Sequence, residues 1–482
     1  MGVTVRSISV VAIVVAAAVA ASTGVASAHR QAHVARTLST HGTLPLRTSV
    51  DDPFALTGPQ RATGFLKAQA AGASYVRLIV PWNAIAPSRR PAGFAAADPT
   101  SRGYSWAWLD STVASAEKAG LTPILDIARA PSWAQIHGGT APKAAYLGQF
   151  AKAVALQYDG KHGAPAAHVF QVWNEPNLSQ DLTPVKASIY RGMVNAVAAS
   201  VHAVSKANIV VAGGLDPFGN KGKGWHSVSP LAFMRSLLCV SKGAHAHRTC
   251  GSRVHFDAWS HHPYSFNGPF GHASRPDDVS LGDLPRMRAL LRTAVRLHHV
   301  VSTRGVQFWV TEFSWDTRPP RRHAAPIGLA SRWTAEALYQ MWRSGVSLVT
   351  WFGLEDKGGK GPYQSGLYFH AKSLERARAK PVRTAFRFPF VAYLGHGSVN
   401  VWGRDATSDK RLVMIQRRNG IHGHWRTVAR IRSNGSGIFR GKLRLAATKK
   451  DWLRAVAAGS GNSLAFSLTR PSPNLRYGPW GN

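Results

Sequence analysis

The chain has 482 residues, 45% of them hydrophobic and 10% aromatic. That is enough to bury a large core in more than one domain, and too apolar for a disordered polymer. Its 59 basic residues against 23 acidic ones give a formal charge of +36, a surface that attracts polyanions and releases them in salt. No helix-turn-helix, zinc-finger or ribonucleoprotein signature accompanies the charge, so nucleic acid is not the expected partner. An anionic cell-wall polymer and a general arginine bias with no dedicated partner both stay open.

Residues 1–28 read as a secretory signal peptide. Arg6 supplies the positive region, residues 8–21 the apolar stretch, and Ala26-Ser27-Ala28 the small-residue cleavage site. The apolar run is short for a membrane span and no second run of spanning length follows. A secreted protein with no membrane span after signal removal is therefore expected, as a monomer. Residues 29–46 are His-, Arg- and Thr-rich without apolar period and read as a flexible leader.

From Arg47, short β-branched runs alternate with amphipathic segments. Expected strands are Arg47–Asp52, Tyr75–Pro81, Pro123–Ile127, His168–Trp173, Asn208–Ala212, His255–Ser260, Val306–Thr311 and Val346–Phe352. Helices are expected over Pro59–Ala71, Trp106–Lys118, Lys143–Tyr158, Val185–Lys206, Leu231–Val240, Leu284–His299, Arg332–Arg343 and Pro381–Phe386. Eight such units over residues 47–390 fit an α/β fold, a (β/α)8 TIM barrel. An open doubly wound sheet would alternate too, but no glycine-rich phosphate loop follows the first strand.

Residues 391–482 read as a small basic β-sandwich. Short alternating runs occur at Val399–Trp402, Arg411–Gln416, Thr427–Arg432, Lys442–Leu445 and Leu464–Leu468, separated by Gly, Asn, Ser and Asp. This part carries sixteen basic and three acidic residues. Trp402, Trp425 and Trp452 could stack on sugar rings or fill the sandwich core. The chain's two cysteines, Cys239 and Cys250, flank a short polar loop. In an exported protein such a pair is expected to form a disulfide.

Chemistry points to the glutamates. Only six exist: Glu117, Glu175, Glu312, Glu336, Glu355 and Glu375. Glu175 and Glu312 each close an apolar strand, where a carboxylate is costly unless it has a task. Two carboxyls about 5–5.5 Å apart across one pocket can hydrolyse a glycosidic bond with retention, one as proton donor and one as nucleophile.

The surrounding residues strengthen this. Val172-Trp173-Asn174-Glu175-Pro176 resembles the strand-four signature of glycoside hydrolase clan A, the retaining barrel glycosidases that include families 5 and 39. Val310-Thr311-Glu312-Phe313 resembles the strand-seven nucleophile site of that clan. The resemblance spans roughly Asp51 to Pro389. It implies Glu175 as acid/base and Glu312 as nucleophile. It further implies Arg77 beside the nucleophile, Asn174 on the sugar 2-hydroxyl, Tyr264 of His262-Pro263-Tyr264 bonded to the nucleophile, and Trp351 as floor of the subsite. No organic cofactor is implied. A metal is not expected either, because neighbouring His261 and His262 point to opposite faces of a strand and lack a third ligand.

Asp126, Asp216, Glu355 and Asp356 follow strand ends and are expected to serve substrate contacts or loop structure, while Glu117, Glu336 and Glu375 are expected in solvent. Trp82, Trp133 and Trp315 either form a sugar-stacking cleft or pack under loops. Lys357 and Lys360 hint at an acidic sugar. The sequence thus reads as a secreted retaining glycoside hydrolase acting on a β-linked oligo- or polysaccharide. The alternatives are a catalytically inactive barrel that binds carbohydrate and a wall-attachment protein acting through its basic domain.

Overall fold

Eight strands, hydrogen-bonded in parallel all the way round, close a barrel in which each strand pairs with its neighbours in the chain and the last pairs with the first. The strands are β1 (Arg47–Asp51), β2 (Tyr75–Pro81), β3 (Thr122–Ala128), β4 (Val169–Val172), β5 (Ile209–Leu215), β6 (Ala258–His261), β7 (Gln307–Val310) and β8 (Leu348–Phe352). The computed structural model describes residues 37–39, 44–161, 165–222, 224–359, 361–407 and 410–480. The expected signal peptide and Lys360 lie outside the described residues. Helices α1 (Arg61–Ala70), α2 (Ala107–Lys118), α3 (Ala144–Gln157), α4 (Ala187–Val204), α5 (Pro230–Leu238), α6 (Leu284–Arg296), α7 (Ile327–Arg343) and α8 (Pro381–Arg387) follow the strands in turn. Among the described residues, no helix is long and apolar enough to cross a membrane.

Period-two alternation sorts each barrel strand into an inner and an outer face. Ile124, Val169, Val211, Ala258, Trp309 and Leu348 form a buried apolar layer inside the barrel at the start of the strands. Counting up in twos from that layer brings Arg77 on β2, Asp126 on β3 and Gln171 on β4 to the mouth. The outward residues join the larger core under the helices. Strand termini at the C-terminal side of the barrel therefore carry the polar groups.

Beyond the barrel, Phe390–Gly395 (β9), Ser398–Arg404 (β10) and Ile438–Arg444 (β13) form one antiparallel sheet. Leu412–Asn419 (β11), Arg426–Arg432 (β12) and Asp451–Ala457 (β14) form the centre of the other. β9 and β14 were not expected from the sequence, and β13 starts earlier than expected. The expected leader also yields a strand, because Thr37–Ser39 pairs in parallel with β12, Thr37 opposite Arg430. Three residues carry no readable period, and only the free sheet edge gives them their conformation.

The sandwich packs on α7. Trp402 is buried, its ring 5.3 Å from Tyr339 and 5.5 Å from Trp342, so it is a core residue rather than a sugar platform. Trp425 instead lies under the guanidinium groups of Arg418 and Arg454. Glu336, expected in solvent, is only 4% exposed and pairs with Arg332 at 3.0 Å, because the sandwich covers that face of α7. Glu117 and Glu375 are exposed as expected. Cys239 and Cys250 are joined in a disulfide that ties the end of α5 to the following loop.

Candidate active site

Strand β4 ends on a backbone that few side chains tolerate. Trp173 has φ 69° and Glu175 φ 38°, both in the left-handed region. Such conformations cost about 1–3 kcal/mol each and persist only where neighbours impose them. Here the Trp173 N–H donates to the Ile127 carbonyl at 3.1 Å, and the Glu175 N–H donates to the Gly214 carbonyl at 3.1 Å. Beside this turn, Gly213 lets β5 pass close to β6: its φ is +100°, and a Cβ there would meet the Ser260 carbonyl oxygen at 2.2 Å. The turn aims the Glu175 carboxyl across the barrel mouth.

Six sequence-predicted residues converge there: Glu175, Glu312, Arg77, Asn174, His262 and Tyr264. Arg77 is 1% exposed and bonds Asp51 at 2.5 Å, Asp126 at 2.6 Å, Asn174 Oδ1 at 2.7 Å, and both Glu312 and Gln171 at 3.3 Å. The Tyr264 hydroxyl donates to Glu312 Oε1 at 2.7 Å. His262 Nδ1 lies 2.9 Å from Glu175 Oε1 and 3.9 Å from Glu312 Oε2. One oxygen of each glutamate and a ring nitrogen of His262 all lie within 4.8 Å of one another. The glutamate side chains keep 16% and 17% exposure, so the pair opens to solvent.

Environment separates the two carboxyls. Burial, then the charges of Glu312 and Asp181, push the Glu175 carboxyl well above the usual range, against the opposing pull of Arg77. Burial drives the His262 imidazole down to about 3, so the ring is neutral near pH 7. A neutral ring serves Glu175 in both protonation states, accepting from the acid or donating to the carboxylate. Burial and Glu312 raise the Tyr264 phenol, which keeps its proton as a donor to Glu312. His261, in contrast, faces away and bonds the Val279 carbonyl at 2.9 Å.

The trio Glu175, His262 and Glu312 is also a set of metal-ligating types at ligating distances. The sequence reading discounted a metal for want of a third ligand, and the fold brings two carboxylates to His262. The Arg77 guanidinium beside Glu312 already supplies a buried cation, which opposes a second one at that oxygen.

Trp351 does not join the site. β8 pairs with β1 so that Thr350 faces Ser49, Trp351 faces Val50 and Phe352 faces Asp51. Asp51 points inward to Arg77, hence Phe352 does too and Trp351 points outward. The Trp351 ring is 1% exposed and packs on Phe313 and Phe386, with its Nε1 donating to Ser365 at 2.8 Å. Phe352 is the aromatic at the mouth, edge-on to Tyr363 at 5.0 Å. Tyr363 in turn lies within the field of both glutamates.

Sequence reasoning missed further acids. Asp51 is pushed up to about 7, by burial against the pull of Arg77. Asp181 accepts from Asn174 Nδ2 at 3.1 Å and is raised to about 6, chiefly by burial. It borders a cavity of about 420 Å³ with Asn174, Arg129 and Gln135. Asp51 was legible as the inward residue closing β1; Asp181 sits in a loop without period. Of the acids that were named, Asp126 bonds Arg77, and Asp216 is raised to about 8 by burial and by Glu175. Asp356 and Glu355 serve loop structure instead, Asp356 pairing with Lys380 at 2.6 Å and Glu355 accepting from the Ala371 N–H. Lys357 pairs with Asp52 at 2.8 Å, so it is a loop tie rather than a ligand for an acidic sugar. Trp82 and Trp315 are fully buried and pack under loops, and only Trp133 keeps partial exposure.

Residues 39–268 match the family model for cellulase, glycosyl hydrolase family 5. The chain resembles the clan A glycoside hydrolases. Among solved structures, a family 39 glycoside hydrolase from the gut symbiont Bacteroides cellulosilyticus WH2 aligns at 13% identity and TM-score 0.50, covering 83% of this chain and 79% of that one. The family 39 enzyme from Xanthomonas axonopodis pv. citri aligns at 15% identity and TM-score 0.50, covering 86% and 96%. At these identities the likeness speaks for the barrel fold. No curated protein matches the chain in sequence.

Proposed function

We propose that this protein is a secreted glycosidase that cleaves β-linked oligo- or polysaccharides with retention. The observation that carries the reading is the pair Glu175 and Glu312, oxygens within 4.8 Å at one barrel mouth and in opposite electrostatic settings. That spacing matches the short carboxyl separation of retaining enzymes.

In the first step a Glu312 oxygen bonds the anomeric carbon while the glycosidic C–O bond breaks and its electron pair leaves with the oxygen. Glu175 hands that oxygen its proton, freeing the aglycone. Glu175 is then a carboxylate beside an ester instead of a carboxylate, so the Glu312 repulsion that added to burial in raising it is gone. It takes a proton from water, whose oxygen displaces Glu312 from the sugar. Both groups return to their starting states. Arg77 and the Tyr264 hydroxyl hold Glu312 in line throughout. Asn174 directs one amide hydrogen to Asp181 and keeps the other for the substrate 2-hydroxyl. Export by the signal over residues 1–28 and contact of the basic surface with anionic wall polymer belong to the same proposal.

Incubation with a panel of aryl glycosides and β-linked polysaccharides tests it, with the anomeric configuration of the first-formed product read by proton NMR. Retention is expected. Glu175→Ala should spare glycosides with good leaving groups and be rescued by azide, whereas Glu312→Ala should lose all substrates. An inverted product, or no hydrolysis across the panel, would overturn the proposal.

A further inference from the structure

Segment 471–480 leaves the sandwich and returns to the mouth of the barrel. The Tyr477 N–H donates to the Phe266 carbonyl at 3.1 Å, and the Asp316 N–H donates to the Pro479 carbonyl at 2.7 Å. Phe266 lies on the loop that carries His262 and Tyr264; Asp316 lies four residues beyond Glu312. The segment is thus pinned to both loops that bear the nucleophile and its hydrogen-bond donor. Tyr477 adds a ring contact to Trp333 at 6.1 Å.

These anchors set Trp480 at the site. Its ring lies 5.1 Å from that of Tyr264, inclined at 46°, and 6.2 Å from Phe266 at 80°. Tyr264 touches Glu312, so Trp480 stands one ring away from the nucleophile. Phe266 is 40% exposed and contacts Phe218 at 5.5 Å, on the loop after β5. Trp480 itself is half-buried, in contrast to the fully buried Trp315 on the same side of the barrel. Partly exposed rings of Phe218, Phe266 and Trp480 therefore run from the β5 loop to Tyr264, the buried ring that touches Glu312. A pyranose offers one face made mainly of C–H groups, and such faces lie flat on exposed indole and phenyl rings.

We infer that Trp480 and Phe266 form a sugar-binding subsite beside the cleaved bond, supplied from outside the barrel by the segment that follows the sandwich. The inference rests on the glycosidase reading above and extends it to a substrate-contacting residue more than 160 positions away from Glu312 in sequence. It also gives the sandwich a task, since its placement on α7 aims the segment at the mouth.

The test compares wild type, Trp480→Ala and Trp480→Phe as full chains on aryl glycosides and on oligosaccharides of increasing length that the wild type cleaves, with thermal unfolding measured in parallel. Trp480→Ala should lower kcat/KM for oligosaccharides about tenfold, mainly through KM. Trp480→Phe should restore most of it, and the unfolding temperatures should stay within a few degrees. Kinetics of Trp480→Ala within twofold of wild type on every cleaved substrate would overturn the subsite and leave the glycosidase intact. Equal losses in both variants that track a fall in unfolding temperature would also overturn it, by showing a structural role alone. A wild type that cleaves no glycan would overturn the glycosidase reading and the subsite with it.

Discussion

Replacing Glu312 by Gln removes one charge from the proposed catalytic pair at nearly constant shape, and the consequence for Glu175 can be worked from the geometry. The nearest oxygens lie within 4.8 Å. Two unit charges at that distance repel by about 1 kcal/mol at the dielectric of water and about 3.5 kcal/mol at an effective value near 20. With side chains 16% and 17% exposed, the site lies between those limits. At about 1.4 kcal/mol per pH unit, Glu312→Gln should lower the titration midpoint of Glu175 by roughly one to two pH units. Burial, the larger cause of its elevation, is untouched, so the midpoint stays above that of a free glutamate. The composition makes this measurable. With six glutamates in the chain, carboxyl-13C glutamate labelling gives few NMR signals, and Glu175→Gln assigns the one that matters. A midpoint that does not move, or moves upward, would refute the electrostatic coupling and with it the assignment of Glu175 as the tuned acid.

Arg77→Met should leave Asp51 and Asp126 buried without their cation; a loss of about 3–5 kcal/mol is expected in urea unfolding at pH 8, smaller at pH 5 where the acids protonate. Tyr264→Phe removes only the hydroxyl bond to Glu312, so kcat should fall roughly 10- to 100-fold on the cleaved substrate while circular dichroism stays unchanged. Trp351→Phe should reduce the unfolding temperature but keep kcat/KM within about twofold, whereas Phe352→Ala should raise KM; steady-state kinetics on both variants separates the inward residue from the outward one. Asp51 has a folded value near 7 against an ordinary 3.8, so the folded state holds a proton that the unfolded chain has lost. Its contribution to stability is present below about pH 4 and is lost as pH rises to about 7, on the order of a few kcal/mol, and Asp51→Asn should flatten that slope in denaturant melts.

The barrel was legible because its strands bury both faces and its helices one stripe, two periods that survive in sequence without any knowledge of partners. Tyr75–Pro81 falls at its expected bounds, and the other barrel strands lie within a few residues of theirs. The convergent glutamate pair was legible because acids are scarce here and two of them interrupt apolar runs. Side-chain direction at strand eight was not legible. Trp351 and Phe352 are both aromatic, and only the register with β1 decides which one faces the mouth. Asp181, Tyr363 and Trp480 lie in loops, where no period exists and position is set by tertiary hydrogen bonds. Thr37–Ser39 is a strand only because an edge is present to receive it.

Glu175 and Glu312 start from equivalent places, each at the end of a parallel strand of one barrel, so strand position cannot be what divides their roles. Their neighbours do. Arg77 has five N–H donors and five acceptors around it: Asp51, Asp126, Glu312, Asn174 and Gln171. Asp51 and Asp126 are themselves drawn toward protonation, to about 7 and about 6, both chiefly by burial. As they take up protons, the guanidinium charge they would have neutralised is directed at Glu312, which also receives the Tyr264 hydroxyl. Glu175 receives a neutral imidazole and the repulsion of Asp181 and Glu312. Lysine at position 77 would supply the charge but not the planar fork that reaches three carboxylates and two amides at once. The proposed division of labour between acid and nucleophile thus rests on one buried arginine and the partly protonated aspartates that share it.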